Sequence, residues 1–553
     1  MSNDYGEPDV TPTESRTTRT AGNFPRGSRE TPATSAVPMT ADRSEKARCH
    51  NPDMHVAGES DSPIVPEKSA NKGSVPLSAE SMEERGLTKE NIEPLLLART
   101  QSRNADGMPF TPRSRGLFGV REAAQNDKKL RFTSLLHHLT PELLRTSFFD
   151  LKKQAAPGVD EETWRDYAED FERRIDDLHG RIHRGAYRAK PSKRSYIAKP
   201  DGKLRPLGIA TLEDKIVQQA ARVVLECIYE QDFLGFSYGF RPGRDQHRAL
   251  DALYVGITKR KVNWIIDADI RGFFDNISHE WLMKFLEHRI ADPRMLRLLK
   301  KWLRAGVSED GEWSPTTVGT PQGAVISPLY ANVFLHYVFD LWIDAWRKRH
   351  AKGEVIIVRY ADDFVIGFRE ESDARRCLTA LRERFHEFGL ELHPEKTRLI
   401  EFGRYAAERR SKRGDGPPES FDFLGFTHIC GKTRKGDFTI RRISSSKKLR
   451  HKLRELKGKL QRMMHLDLTQ VGSWLSSVLR GWCNYHAIPG NSKRLQQFRT
   501  ALQRLWLRTL RRRSQRGGRM TWAKFTQHCR RWFPTPKITH PYPNVRFARL
   551  HPR

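Results

Sequence analysis

From Val355 to Phe368 the chain reads VIIVRYADDFVIGF, two apolar, β-branched runs on either side of Tyr360-Ala361-Asp362-Asp363. Such runs predict strands, and the short link between them predicts a hairpin with paired carboxylates at its tip. Adjacent acids inside an apolar segment are costly, because a buried charge must be paired or bound to a metal. A surface turn holding two aspartates is the ordinary alternative, and the apolar flanks argue against it. A second acidic cluster, WIIDADIRGFFD, runs from Trp264 to Asp275. The run Val262 to Ile266 predicts a buried strand and Ser278 the N-cap of the next helix, so Asp269 lies where a strand ends. If that strand pairs beside the hairpin, Asp269, Asp362 and Asp363 converge on two hard divalent cations, which take oxygen ligands and keep positions open for substrate phosphates. Such ions activate an attacking 3′-hydroxyl and stabilise a departing pyrophosphate. Side chains alternate along a strand, so Asp267 shares a face with Asp269 and either fits the ligand position.

Charge points toward a phosphate-rich partner. The 553 residues carry a net charge of +31, and residues 441–553 hold 28 Lys and Arg against Glu455 and Asp467 alone. A field of one sign repels itself unless phosphates neutralise it, which makes nucleic acid the expected partner. No apolar run is long enough to span a bilayer and the N-terminus has no apolar signal core, so the expected setting is the cytoplasm, with no membrane association. The six cysteines are scattered singly, a pattern that predicts neither a zinc site nor a disulfide framework.

Along the chain, residues 1–90 have the Ser, Thr, Pro, Gly and Glu-rich composition of a disordered leader. Residues 91–190 predict a helical extension. Pro141 is placed to start a helix, and Tyr167, Phe171, Ile175, Leu178 and Ile182 fall at helical steps through WRDYAEDFERRIDDLHGRIHRGAY, predicting one amphipathic helix. From 191 to 430 short β-rich runs alternate with helical ones, an α+β signature. Residues 431–535 predict a helical domain, with basic outer faces and apolar stripes at Leu449, Leu453, Leu456, Leu460 and Met463, at Val471, Trp474, Leu475, Val478 and Trp482, and at Leu495, Phe498, Leu502 and Leu505. Residues 536–553 form a basic tail.

The string Tyr360 to Asp363 resembles the active-site hairpin of reverse transcriptases, and the segments around it are similar in kind and order to the motifs of the group II intron-encoded enzymes. AAPGVD (Ala155 to Asp160), YIAKPDGKLRPLGI (Tyr196 to Ile209), FSYGFRPGR (Phe236 to Arg244), DADIRGFFD, GTPQGAVISPLYANVFL (Gly319 to Leu335), RYADDF, GLELHPEKT (Gly389 to Thr397), FDFLGF (Phe421 to Phe426) and LRGWCNYH (Leu479 to His486) follow one another in the family's order. The resemblance implies a right-hand polymerase fold, with fingers and palm of antiparallel sheet plus helices followed by an all-helical basic thumb/maturase domain. It implies two Mg²⁺ ions, replaceable by Mn²⁺, on Asp269, Ile270, Asp362 and Asp363. Asp269 is preferred to Asp267 because the family's metal-binding aspartate lies five residues before the second aromatic, here Phe274.

The same resemblance assigns nucleotide contacts. Lys199 and Arg205 share a β-hairpin turning at Asp201-Gly202, with Lys203 nearby, and both cations reach an incoming triphosphate. Phe274, or its neighbour Phe273, sits beneath the sugar and selects deoxynucleotides. Gln322 hydrogen-bonds the nucleotide. Lys396 touches the triphosphate or template, or forms a structural salt bridge. Asp275 bonds locally with its turn or caps a helix. Arg480, Trp482, Arg511, Arg512, Arg513 and Arg516 are candidates for RNA binding, with Trp482, Tyr485 and Trp506 either packing in the core or stacking on bases. The implied function is an RNA-directed DNA polymerase that binds its group II intron RNA to assist splicing and copies it during retrohoming, using dNTPs, a primer strand and target DNA. No paired cysteines follow the thumb, so the HNH endonuclease of many relatives is not expected. A domesticated relative serving CRISPR adaptation or phage defence shares the polymerase motifs. A non-catalytic splicing factor has no physical need for three converging carboxylates.

Overall fold

The computed structural model describes residues 114–198 and 204–550. The predicted leader 1–90 and the first part of the predicted helical extension lie outside them, as do Lys199 and Lys203.

Among the described residues four α-helices come first: α1 (Ser114–Asn126), α2 (Pro141–Asp150), α3 (Trp164–Ala168) and α4 (Phe171–His183). Thr140 caps α2, its hydroxyl accepting from the Leu143 amide at 3.2 Å with Pro141 in the first turn, as the sequence predicted. The long helix expected from residue 164 onward is two. A capping box at Thr163 and Asp166 starts α3, and Asp170 leaves helical geometry (φ −125°, ψ 43°). The break lets Trp164 stack on Phe148, ring centroids 4.5 Å apart, while Phe171 meets the same ring at 4.8 Å.

The fingers hairpin follows, β1 (Ser192–Ala198) antiparallel to β2 (Leu204–Ile209), then α5 (Leu212–Asp232), α6 (Gln246–Lys259) and β3 (Trp264–Ala268). Next come α7 (His279–Glu287), capped by Ser278 as expected, α8 (Pro293–Arg304), the small hairpin β4 (Val307–Glu309) and β5 (Glu312–Ser314), and α9 (Ser327–Leu335). A π-helical turn, His336–Asp340, joins α9 to α10 (Leu341–Arg349). The palm continues with β6 (Val355–Tyr360), β7 (Asp363–Phe368), α11 (Glu371–Glu387), β8 (Arg398–Glu401), α12 (Ala406–Lys412), β9 (Phe421–Phe423), β10 (Phe426–Lys432) and β11 (Phe438–Ser444).

The described strands form three sheets, in the orders β2-β1-β4-β5, β6-β7-β3-β8 and β11-β10-β9. Their pairings are antiparallel except for β1 with β4. The β6-β7-β3-β8 sheet is covered on both faces, which explains the unbroken apolar runs of β6 and β7. Ile266, Phe364, Ile366 and Phe368 belong to the large core shared with α5, α9 and α11, whereas Ile265, Val358, Val365 and Ile400 belong to a second core with α6 and the β9–β11 sheet. Full burial of each such side chain is worth roughly 1.5–3 kcal/mol, so the strand between these cores is locked in register.

The thumb is α13 (Ser446–Arg462), α14 (Leu468–His486), α15 (Ser492–Arg513), α16 (Gln515–Gly518) and α17 (Trp522–Cys529), around a core of its own that includes Leu456, Leu475, Phe498 and Trp506. One boundary differs from expectation. Residues 431–444, read as the start of the helical thumb, carry the end of β10 and all of β11, whose alternating burial fits a strand. The basic tail carries α18 (Pro543–Leu550) and packs against both palm and thumb: Arg546 pairs with Asp251 on α6, and a ring nitrogen of His540 meets the carbonyl of Asn484 on α14 at 2.7 Å.

Candidate active site

The hairpin tip is a strained turn held from behind. Tyr360 and Asp363 are the last pair of β6 and β7, and Ala361 between them adopts the left-handed φ of +57° while buried. Such a conformation costs about 1 kcal/mol or more and persists only where its surroundings dictate it. Those surroundings are the FSYGFRPGR segment and α9. The Arg359 amide donates to the Phe236 carbonyl at 2.9 Å and the Tyr238 amide to the Arg359 carbonyl at 2.8 Å, a single parallel bridge that fastens Ser237 to β6. Gly239 then presses on the turn so closely that a Cβ there would lie 2.2 Å from the Ala361 nitrogen.

Arg359 itself is fully buried. Its guanidinium donates to Asp340 (Nε to Oδ1, 2.7 Å), to the Asn332 side-chain oxygen (3.1 Å) and to the Ala361 carbonyl (3.0 Å), while Asn332 Nδ2 donates to the Gly239 carbonyl at 2.8 Å. Sequence reasoning missed Arg359, Asp340 and Asn332. The signal was available in part: an arginine inside an apolar strand demands a buried acid.

Strand pairing brings the three predicted carboxylates together. β3 lies antiparallel to β7 with Ala268 opposite Phe364, so Asp269 leaves the sheet beside Asp363. Burial raises the Asp362 carboxyl and Asp269 raises it further, against the pull of Arg205 and Arg359. Asp363 is pushed well above the usual carboxylate range by burial and by Asp362, Asp267 and Asp269, with Lys448 of the thumb opposing. Asp267 rises to about 6 by burial, its carboxylate held by Arg398 at 3.3 Å. Lys396 Nζ donates to Asp269 Oδ2 at 2.6 Å, the salt-bridge reading of that lysine. Ile270 buries its side chain, which leaves only its main-chain carbonyl to face a cation.

Among the described residues no three acidic, histidine or cysteine side chains already form a metal cage. The chemistry of the donors nonetheless fits a hard divalent cation: all are oxygens, and the Asp362 and Asp363 carboxylates are destabilised as anions by burial and by neighbouring aspartates, a cost that a cation removes.

The nucleotide side is tied to this centre by the main chain. Arg205 pairs with Ile197 across the fingers hairpin, within electrostatic reach of Asp362. The Gly208 amide of β2 donates to the Gln322 carbonyl at 2.7 Å, and Gln322 Nε2 donates to Asp275 Oδ1 at 3.2 Å. Asp275 thus makes the local contact that the sequence predicted, its amide donating to the Gly272 carbonyl at 2.9 Å, and its side chain also bonds across to this loop. Gly319 has φ +85°, and a Cβ there would meet the Asp275 carbonyl at 2.8 Å. Phe273 is buried against Phe334, while Phe274 is half-buried and its carbonyl accepts from the Thr320 amide at 2.8 Å.

Residues 197–428 match the family model described as reverse transcriptase (RNA-dependent DNA polymerase). Protein YkfC of Escherichia coli (strain K12) is 31% identical over 354 residues, an alignment covering 57% of this chain and 88% of that protein. The chain belongs to the reverse transcriptase family. Group II intron-encoded protein LtrA of Lactococcus lactis is 38% identical over 213 residues, 37% of this chain and 34% of LtrA, so the match spans about a third of that relative's length. Nuclear intron maturase 2 of Arabidopsis thaliana is 25% identical over 236 residues, 35% of this chain and 30% of that protein. Its relatives thus include proteins named as group II intron-encoded, and the activity of the family is RNA-directed DNA polymerisation.

In the thumb of this reverse transcriptase Arg480, Arg511, Arg512 and Arg513 are exposed. The guanidinium of Arg511 donates to the Met520 carbonyl at 2.9 Å and that of Arg513 to the Leu466 carbonyl at 2.8 Å. The side chain of Arg516 lies outside the described atoms. Trp482 is corrected: it is buried between His486 and Phe498, at ring separations of 3.9 and 4.3 Å, and cannot stack on a base without unpacking the thumb. Trp506 is likewise core, and the Tyr485 hydroxyl donates to the Leu424 carbonyl at 2.8 Å. Among the described residues no helix is long and apolar enough to cross a membrane.

Proposed function

We propose that this polypeptide binds a group II intron RNA, assists its splicing, and copies it into DNA during intron mobility from a primer strand at a target site. The observation that carries the reading is the pairing, in one chain, of the Asp269, Asp362 and Asp363 centre with a thumb whose charged side chains are almost all cationic.

In the polymerisation step the primer 3′-hydroxyl attacks the α-phosphorus of a dNTP; a P–O bond to the primer forms as the bond to pyrophosphate breaks. Two Mg²⁺ ions held by Asp269, Asp362, Asp363 and the Ile270 carbonyl would supply the acidified hydroxyl and the charge compensation of the leaving group. Arg205 binds the triphosphate from the fingers; Lys199 and Lys203, which lie outside the described residues, are the further candidates for that contact. Gln322, held by Asp275, meets the incoming nucleotide. Phe274, the more exposed of the two phenylalanines, closes the space where a ribose 2′-hydroxyl would sit. Arg359 and Gly239 keep the Asp362-Asp363 turn from relaxing. Splicing uses the thumb: Arg480, Arg511, Arg512, Arg513 and Arg516 neutralise phosphates and stand in for ions that RNA helices otherwise need in order to pack.

The test is a splicing and cDNA assay on the host intron, identified from the DNA flanking the gene. The protein should promote splicing at Mg²⁺ concentrations where the RNA alone is inactive, and should extend a primer on that RNA with dNTPs. A protein that extends primers while leaving splicing unchanged on every flanking intron would overturn the maturase part.

A further inference from the structure

Lys396 is anchored at its base and exposed at its tip. The loop that carries it is bound to the main chain of Asp269: the His393 amide donates to the Asp269 carbonyl at 2.8 Å, Arg271 N to the Glu391 carbonyl at 2.8 Å, and Ile270 bridges to Leu392. The Thr397 amide closes the turn onto His393 O at 2.9 Å. From this fixed base the ammonium reaches Asp269 Oδ2 at 2.6 Å, with the lysine side chain 60% exposed and that of Asp269 33% exposed. An ion pair so open to water is weak, easily exchanged for a stronger partner on either side. Two such partners are those of the reaction: a divalent cation for the carboxylate and a triphosphate for the ammonium.

We propose that Lys396 is an internal counter-cation that occupies Asp269 in the free enzyme and competes with the catalytic metal there, and that the incoming triphosphate draws it away. The inference rests on the polymerase reading of the site and adds an order of events to it. Until a nucleotide arrives, Asp269 is satisfied by its own chain and the metal site stays incomplete. When the lysine moves to the phosphates, Asp269 is released to the ion that accompanies them. Nucleotide and metal binding are then coupled, and coupling between two ligands is reciprocal. Lys396 is thus a positioning residue that acts through Asp269.

The test is Mn²⁺ binding to the full-length protein, free of nucleic acid and nucleotide, by calorimetry and by the electron paramagnetic resonance signal of free Mn²⁺. Lys396→Met should tighten Mn²⁺ binding by about tenfold, inside the usual range of site-to-site coupling. Lys396→Gln should do the same, and Lys396→Arg should bind like wild type. Placed on Asp269→Asn, the Lys396→Met change should shift affinity by no more than about twofold, because the pair is already broken. In steady state, Lys396→Met should raise the KM for dNTP while lowering the Mg²⁺ concentration that gives half-maximal rate, opposite shifts that a merely disordered loop would not produce. Unchanged Mn²⁺ affinity in both neutral variants overturns the proposal, as does equal tightening with and without Asp269, which reports only the local field. The polymerase reading fails separately: wild-type protein that makes no cDNA removes it, while the Mn²⁺ cycle still decides whether Lys396 guards Asp269.

Discussion

Behind the Asp362-Asp363 turn the chain buries charge and fixes it, with Arg359 in contact with Asp340, Asn332 and Ala361 and no exposure to water; the thumb buries rings and aliphatic groups and leaves its cations outside. The difference follows from what each region must hold. In-line displacement tolerates little error in the placement of three carboxylates, so their support is over-determined. A phosphate-binding surface works by summing many loose interactions, and none of them needs an exact position. Damage to the palm should accordingly be concentrated in single residues and damage to the thumb spread over several.

The largest effect should come from Arg359→Met. Asp340 is then left buried without a partner, a change that costs about 3–5 kcal/mol, and urea denaturation of the variant should show it. Arg359→Met combined with Asp340→Leu should recover most of that stability while cDNA synthesis stays impaired, since the Ala361 carbonyl still lacks its donor. Recovery of both would mean that the network matters for folding alone.

Next comes the thumb. Reversing Arg511, Arg512, Arg513 and Arg516 to Glu should weaken binding of the intron RNA and flatten the slope of log affinity against log salt by about 3, at roughly 0.7–0.9 for each phosphate that is no longer neutralised. Any single reversal should flatten it by less than about 1. One reversal that accounts for the whole effect would contradict the distributed picture.

A smaller effect is expected at Phe274. Apolar pockets reject an added hydroxyl by roughly a hundredfold, so Phe274→Ala should lose up to that much preference for dNTP over rNTP, measured as the ratio of kcat/KM values. If Phe273→Ala relaxes the sugar choice and Phe274→Ala does not, the assignment is one residue off.

The smallest concerns pH. The folded-state value of Asp267 is raised to about 6 from 3.8, so its native form holds a proton more tightly than its unfolded form. Its stabilising contribution is full below about pH 4 and is lost as pH rises through about 6. Asp267→Asn does not titrate, and should therefore be more stable than wild type at about pH 7, with the advantage gone near about pH 4. Thermal melts at the two pH values check this.

How much of this was legible in the sequence depended on distance along the chain. The acidic turn was readable because its strands and carboxylates are contiguous, and Asp269 because it closes an apolar run. The Arg359–Asp340 partnership was not: the two stand nineteen positions apart with α10 between them, and Asp340 closes a π-helical turn that periodicity does not show. Lys396 was left between phosphate and salt bridge because its partner depends on a loop pairing invisible to periodicity. Trp482 was misread because an aromatic at helical spacing serves a core or a surface equally well, and only packing against His486 and Phe498 separates them. The helix break after Ala168 and the strand at 438–444 were missed for a related reason, since burial overrode local pattern.

The central claim is that polymerisation resides in the palm carboxylates and RNA binding in the thumb surface. The most direct measurement is a paired assay of cDNA synthesis on a generic primed RNA and of intron splicing at low Mg²⁺, carried out on Asp362→Ala and on the four-Arg to Glu variant. Asp362→Ala should make no detectable cDNA and still promote splicing; the arginine variant should do the reverse. cDNA synthesis persisting in Asp362→Ala, or splicing undisturbed in the arginine variant, would contradict the account.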